Sequence, residues 1–349
     1  MRSFSPDFIV RQPITQRLLQ TIRLIGEHKG RHALHQNQSP QLLKTLREAA
    51  IIQSTESSNR IEGVTAPLER IKALVGSKTT PKDRSEQEIA GYRDVLQTIH
   101  ANAHEMRFNS GLVLQMHRDL FRHTNEDGGR WKSSANEIAE LRPDGSKFLR
   151  FQPVPPHLTE DAMRELHDRF AMLWESRQVE RLLLIPAYVL DFLCIHPFRD
   201  GNGRLARLIS LLLLYQADYE VGRYVSLELL VEQTRDQYYD TLYRSSQNWH
   251  ETGHTLQPWT EYFLSVVLTG AYRQFEERAG SVSTAKGSKS AMVLDTIGKF
   301  RTPFSIGQLK AACPTVGTDL IRRLLQEEKR AGRIEPTGRG PKARWRRKR

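Results

Sequence analysis

"HPFRDGNGR", His196–Arg204, is a polar, glycine-rich stretch set between two apolar runs, "IPAYVLDFLCI" (185–195) and "LARLISLLLLY" (205–215). The runs read as two buried helices. Pro186 suits the first position of the first helix, where a missing N–H costs nothing, and that helix is expected to reach about Cys194. The second is expected to start near Asn202 and to bury Leu205, Leu208, Ile209, Leu211 and Leu212. The stretch between them therefore opens into a helix N-terminus, where unpaired N–H groups and the helix dipole favour an anion. Gly201 and Gly203 leave the backbone open to a phosphate. Arg204 and Arg207, three apart on one helix face, supply charged donors for phosphate oxygens. Asp200 places a carboxylate beside that nest, the usual setting for Mg²⁺ held together with nucleotide phosphates. His196 alone in the loop titrates near neutral pH, so it can take a proton from an attacking hydroxyl. A histidine at a helix end, or Gly-x-Gly before a helix, is often only structural. The convergence of all these groups on one helix start points to a nucleotide-phosphate site.

Outward from this loop, residues up to about 280 read mostly as helix, with apolar positions at helical spacing in "PQLLKTLREAAIIQS", "EQEIAGYRDVLQTIH" and "TEDAMRELHDRFAMLWES". Thr159 is a candidate N-cap. "SNRIEG", Ser58–Gly63, reads as a helix end, with Glu62 in the last turn and Gly63 as its cap. Residues 128–158 break the pattern: Asp144-Gly145 marks a turn between two short runs, so a hairpin is expected, either a surface excursion or an edge strand beside a site. No internal repeat is evident.

The loop and the arginine that follows it resemble the signature of the Fic family, HPFx[D/E]GNGRxxR, at every position, and the resemblance extends over about residues 40–275. It implies a mostly helical domain that transfers AMP from ATP to a Tyr, Thr or Ser hydroxyl of a target protein, or of the chain itself. By that resemblance His196 is the general base, Phe198 anchors the loop, and Asp200 holds Mg²⁺. Gly201, Asn202 and Gly203 cradle the α- and β-phosphates, and Arg204 and Arg207 complete the contacts. Residues 130–152 form the flap, which pairs with the target backbone, and Tyr239 lines the adenine pocket. "SNRIEG" is similar to the inhibitory signature [S/T]xxxE[G/N] of the same family, in the class with an N-terminal inhibitory helix, here about residues 54–63. Ser58 and Glu62 would then be the inhibitory residues, with Glu62 paired to Arg207 in the place of the γ-phosphate. In some relatives the same glutamate removes AMP from the target. Family kinases carry Lys at the Gly203 position, which speaks against that use here. A homodimer also fits the family.

Charge divides the 349-residue chain. Residues 286–349 hold 17 Lys+Arg against 5 Asp+Glu, the whole of the net charge of +12. A polyanion is therefore the expected partner of this part alone. "GSVSTAKGSKS" (280–290) reads as a linker, followed by three helical patterns and a basic, glycine-rich hairpin, in the order of a winged helix-turn-helix. Ser305 and Thr315 fit helix N-caps. Arg322 and Arg323 fall on the recognition helix, and Lys342, Arg344, Arg346, Arg347, Lys348 and Arg349 load the wing and tail. Such a module docks DNA or protein, and a DNA-binding regulator that only senses ATP is the rival reading. The expected fold is mainly α: an N-terminal helical region (1–105), a Fic-type core (106–280), a linker (281–290) and a winged helix (291–349). No run reaches the roughly 20 apolar residues of a membrane span, and no signal peptide is evident. Cys194 and Cys313 read as buried thiols of a reducing compartment, so a cytoplasmic location is expected.

Overall fold

The computed structural model describes residues 2–5, 7–36, 40–141, 144–284, 288–300, 302–313, 316–337 and 344–347. Two compact units emerge, one made of residues up to Gly30 and Lys44–Arg273, the other of Arg31–Leu43 and Gln274–Arg349. In chain order the helices of the larger part are α1 (Phe8–Arg11), α2 (Gln16–Gln36), α3 (Pro40–Ile61), α4 (Leu68–Val75), α5 (Arg84–Asn102) and α6 (Ser110–Leu120). A hairpin of β1 (Ile138–Leu141) and β2 (Lys147–Phe151) follows. Then come α7 (Pro156–Ser176), α8 (Arg181–Ile195), α9 (Asn202–Gln216), α10 (Leu227–Gln233), α11 (Arg235–Ser246) and α12 (Gln257–Glu261). A π-helical stretch, Tyr262–Leu268, leads into α13 (Thr269–Thr284).

The centre of this unit is the α8–α9 pair. Both helices are apolar on nearly every side, so both must be surrounded. All five residues expected to be buried in α9 are buried, and Leu213, Leu214 and Tyr215 join them. Asn202 is the first residue of α9, as the sequence indicates. Pro186 is not the first residue of α8. That helix begins at Arg181, capped by the Glu180 side chain, and holds Pro186 inside it. Burial of Leu182, Leu184 and Ile185 outweighs the one helical hydrogen bond a proline forgoes. Thr159 likewise lies within α7, which starts at Pro156; its hydroxyl donates back to the Pro155 carbonyl at 3.1 Å.

α8 also buries Asp191. Its carboxylate accepts from Ser3 N (3.1 Å), Ser3 Oγ (2.5 Å) and Trp249 Nε1 (2.6 Å), which ties the chain's first residues to the central helix. Desolvation still dominates and pushes the carboxyl up to about 6.

The β1–β2 hairpin is antiparallel, pairing Ala139 with Leu149 and Leu141 with Lys147, with a bulge between Ile138 and Ala139. Asp144 Oδ1 accepts from Ser146 N and Oγ, which fixes the turn. β2 packs on α11, with Phe148 near Tyr243 and the Arg150 guanidinium over the same ring. The outer edge of β1 has no strand partner among the described residues.

The second unit contains α14 (Ser288–Lys299), α15 (Ile306–Ala312), α16 (Thr318–Arg330) and an antiparallel hairpin of β3 (Ile334–Thr337) and β4 (Arg344–Arg347). Leu309, Ile321, Leu325 and Trp345 are among its core residues. Ser305 caps α15 in a reciprocal capping box with Gln308. Gly317 sits at the N-cap of α16, and Thr315 lies outside the described residues. Where a 281–290 linker was expected, α13 continues to Thr284 and α14 starts at Ser288; residues 285–287 lie outside the described residues.

The raised Asp191 pKa has a definite sign. The folded state holds the proton more tightly than the unfolded chain, so this contribution to stability is complete below about pH 4 and lost as pH rises to about 6. Asp191→Asn should therefore remove a decline in unfolding free energy between those pH values, on top of a pH-independent loss from the missing acceptor. Urea melts of both proteins at pH 4, 5, 6 and 7 measure it; parallel pH profiles would refute it.

Candidate active site

The loop joining α8 to α9 lines a cavity of about 850 Å³, together with Glu62, the β1–β2 hairpin and α11. His196 ends α8 in the left-handed conformation, φ 50° and ψ 60°. That geometry is uncommon for a residue with a side chain, and it turns the ring off the helix axis. Nδ1 lies 3.2 Å from the Leu193 carbonyl. A carbonyl only accepts, so Nδ1 carries the proton and Nε2 keeps its lone pair. Burial pulls the imidazole down to about 4, with Lys132 adding to the effect. The ring is thus a neutral base at neutral pH.

Phe198 is fully buried and stacks on His117, ring centroids 3.7 Å apart. Asn202 closes the loop on itself: its Oδ1 accepts from Phe198 N at 3.0 Å and its Nδ2 donates to Phe198 O at 2.8 Å. Its side chain is committed to the loop, and what it offers the cavity is backbone. Gly201 adopts φ +79° at the N-cap of α9, and the first N–H groups of that helix have no intrahelical acceptor. The Asp200 side chain is 53% exposed on the cavity wall, with Oδ1 2.5 Å from Gly201 N.

The two arginines part company. Arg207 lines the cavity and is held by Ser58 Oγ and Ser58 O, each 2.9 Å away, and by Glu62 Oε1 at 2.7 Å. Arg204 does not line it. The guanidinium is 1% exposed, 2.5 Å from Glu88 and 3.6 Å from Asp200, and lies over the Phe121 ring. A buried arginine needs its carboxylate, and α5 supplies one. Arg204, expected as a phosphate contact, stands here in an ion pair beneath the loop, while Arg207 faces the cavity.

Glu62 is aimed by its backbone. The Val64 and Gly63 N–H groups bond back to Asn59 O and Arg60 O, each at 3.0 Å, with Gly63 at φ +81°. This is a Schellman cap. It fixes the end of α3 so that Glu62 Oε1 lies over the start of α9. A Cβ at residue 203 would run into that oxygen, so a side chain there would push the Glu62 carboxylate aside. A carboxylate thus occupies the helix N-terminus where an anion is favoured. Tyr239 lines the cavity with Leu190, Leu193 and Tyr243, and burial raises its phenol pKa.

Three further residues hold the loop. Lys132 N donates to Pro197 O (2.8 Å), and Lys132 Nζ to Ile195 O (3.0 Å) and Asn136 Oδ1 (2.8 Å). Asn136 Nδ2 donates to His196 O (3.1 Å) and Phe198 O (3.0 Å). His117 Nδ1 accepts from Gly129 N (2.8 Å), which leaves Nε2–H to donate to Asp200 O (3.0 Å). Sequence reading missed all three. Lys132 and Asn136 fall inside the expected flap without any pattern of their own, and His117 lies 83 residues from its partner.

Residues 107–214 match the model of the Fic/DOC family, a segment that takes in α6, the hairpin and the whole 196–204 loop. Among curated proteins the chain is 26% identical over 186 residues to Protein adenylyltransferase Fic of Nematostella vectensis, covering 51% of this chain and 40% of that one. It is 25% identical over 240 residues to the protein of the same name from Drosophila grimshawi, covering 65% and 46%. The chain thus spans less than half the length of these relatives. Among solved structures it resembles a Fic family protein from Desulfovibrio desulfuricans G20, with TM-score 0.61, 23% identity, and coverage of 96% and 97%. Fic-1 (residues 134–508) of C. elegans matches with TM-score 0.56, 18% identity, and coverage of 77% and 74%. The fold is that of Fic proteins.

The His196 environment makes a direct prediction. An ordinary imidazole is half protonated near pH 6.5; this one, drawn down to about 4, stays neutral and Nδ1-protonated through pH 5. ¹⁵N NMR of histidine-labelled protein would show it, and a midpoint above 6 would contradict the geometry.

Proposed function

We propose that this chain is a Fic-type protein adenylyltransferase that its own Glu62 holds in check. The observation that carries the reading is the single cavity wall shared by His196, the N-terminus of α9 and the Glu62–Arg207 pair. In the forward reaction a target hydroxyl oxygen attacks the α-phosphorus of ATP. The bond from that phosphorus to the bridging oxygen breaks, pyrophosphate leaves, and the hydroxyl proton passes to His196 Nε2. The α9 N–H groups at Asn202 and Gly203 hold phosphate oxygens, and Tyr239 packs against the base. Asp200, an exposed carboxylate on the phosphate side, fits Mg²⁺, which takes one or two carboxylates plus substrate phosphates. The bound ion would offset charge on the polyphosphate. The target backbone is read by the open edge of β1.

Glu62 bears on this by occupying the anion position over Gly203 and keeping Arg207 for itself. ATP that enters must place its terminal phosphate elsewhere, which turns the α-phosphate from the line of attack. A misplacement of about 1 Å costs on the order of 100-fold in rate. Glu62→Gly should therefore raise AMP transfer by about that factor, and His196→Ala should abolish it. Incubation with Mg²⁺ and ATP labelled at the α-phosphate reads both. Equal labelling by wild type and Glu62→Gly would refute inhibition, and no label in any variant would refute AMP transfer.

For the second unit we infer a winged helix, supported by its order of three helices and a hairpin. Arg322 and Arg323 are exposed on α16, and Arg344 and Arg346 on β4. The pairing of Arg322, Arg323 and Arg346 with Asp319, Glu327 and Glu335 is at the surface and weak in water. The proposed partner is the phosphate backbone of DNA; Lys342 and Lys348 lie outside the described residues. Affinity for duplex DNA should drop steeply from about 50 to 200 mM salt, and the slope should shrink by about one unit for each arginine removed. Fluorescence anisotropy of wild type and Arg322→Ala/Arg323→Ala measures it.

A further inference from the structure

We propose that His117, Lys132 and Asn136 are positioning residues that hold the His196 loop in its active shape, and that they make the base of the β1–β2 hairpin and this loop one mechanical unit. The proposal rests on the adenylyltransferase reading, and the observations behind it are geometric. Between Ile195, the last residue of α8, and Asn202, the first of α9, helical bonds reach only His196 N–H and the Gly201 carbonyl, so the carbonyls from Ile195 to Asp200 need donors from elsewhere. Five of the six carbonyls from Ile195 to Asp200 are nevertheless bonded, and the three residues supply a donor to each of the five. Lys132 takes Ile195 and Pro197, Asn136 takes His196 and Phe198, and His117 takes Asp200.

The pattern has a direction. Within a peptide unit the C=O and N–H point opposite ways. Pinning the Asp200 carbonyl on His117 therefore turns the Gly201 N–H away from it, to the side where Asp200 Oδ1 already accepts it. Pinning the His196 carbonyl on Asn136 fixes the left-handed backbone that aims the imidazole. The donors are themselves fixed. Lys132 Nζ bonds to Asn136 Oδ1, and His117 stacks on Phe198 while accepting from Gly129 N. Asn136 also joins the loop to the hairpin, since its own carbonyl accepts from Gln152 Nε2 at 3.2 Å, just beyond the end of β2. A segment docked along β1 would thus be registered against His196 through two residues.

The test uses the full chain carrying Glu62→Gly, with Asn136→Asp, Lys132→Met or Lys132→Arg added. Asn136→Asp keeps the size of the side chain and removes both of its donations. Asn136 is only half-buried, so circular dichroism and melting should show the variant folded. It should lower kcat for AMP transfer by about 30- to 100-fold while KM for ATP stays within about threefold. It should also shift or split the His196 ring signals in the ¹⁵N spectrum, leaving remote histidines unchanged. Lys132→Met removes a cation that faces His196 alongside Glu62 and Asp200. The His196 titration midpoint should rise above about 4 in Lys132→Met, whereas Lys132→Arg should restore it. Unchanged kcat and unchanged His196 signals in Asn136→Asp and Lys132→Met would overturn the proposal. If the Glu62→Gly parent transfers no AMP, the functional reading fails, and the His196 spectrum still decides whether these residues position the ring.

Discussion

Between Ile195 and Asn202 a polar backbone runs with one side on the buried Phe198 and the other on the cavity, and each buried carbonyl there must find a donor or cost stability. α8 and α9 are too hydrophobic to lie at the surface, so both ends of the turn between them are buried, at Pro197–Phe198 and Gly201–Asn202, and only Arg199 and Asp200 face outward. The donors come from the end of α6 and the base of the hairpin. This one constraint fixes the position of the hairpin, the left-handed turn at His196 and the path into α9. The cavity follows from it. Carbonyls bound on one side leave the N–H groups of the α9 start and the His196 imidazole for the other.

Charge in the same region is arranged by a second constraint, that a buried guanidinium needs a partner. Arg204 finds Glu88 and becomes part of the foundation. Arg207 finds Ser58 and Glu62 and stays at the cavity. The two arginines are three residues apart, about 60° around the helix, and that angle separates support from site. The Schellman cap at Gly63 converts a local turn preference into an electrostatic effect at the end of a different helix. The carboxylate that satisfies Arg207 also lies over the start of α9 at Gly203, so one side chain serves both the ion pair and the helix N-terminus.

Much of this was legible in the chain. The loop, the start of α9, the buried face of α9, the hairpin with its Asp144–Gly145 turn and the Gly63 cap all follow from local pattern. Spacing and turn chemistry act over a few residues, and these features depend on nothing else. Where the sequence misled, a distant contact had intervened. Pro186 marks no helix start because burial of the preceding leucines extends α8 backward. Arg204 lies beneath the loop because of Glu88, on another helix, a partner that spacing cannot reveal. The stretch around 280–290 has linker composition, yet helix occupies both of its ends.

The sequence by itself determined the chemistry present at the site: a base, a carboxylate, a glycine-lined helix start and a glutamate ahead of a glycine. It also determined the division of charge between the two parts of the chain. Only the tertiary structure decided which arginine faces the cavity, which ring nitrogen of His196 is free, and that His117, Lys132 and Asn136 hold the loop. Those outcomes depend on partners tens of residues away. Local preference is a sum over neighbours in sequence, whereas a buried hydrogen bond is settled by neighbours in space.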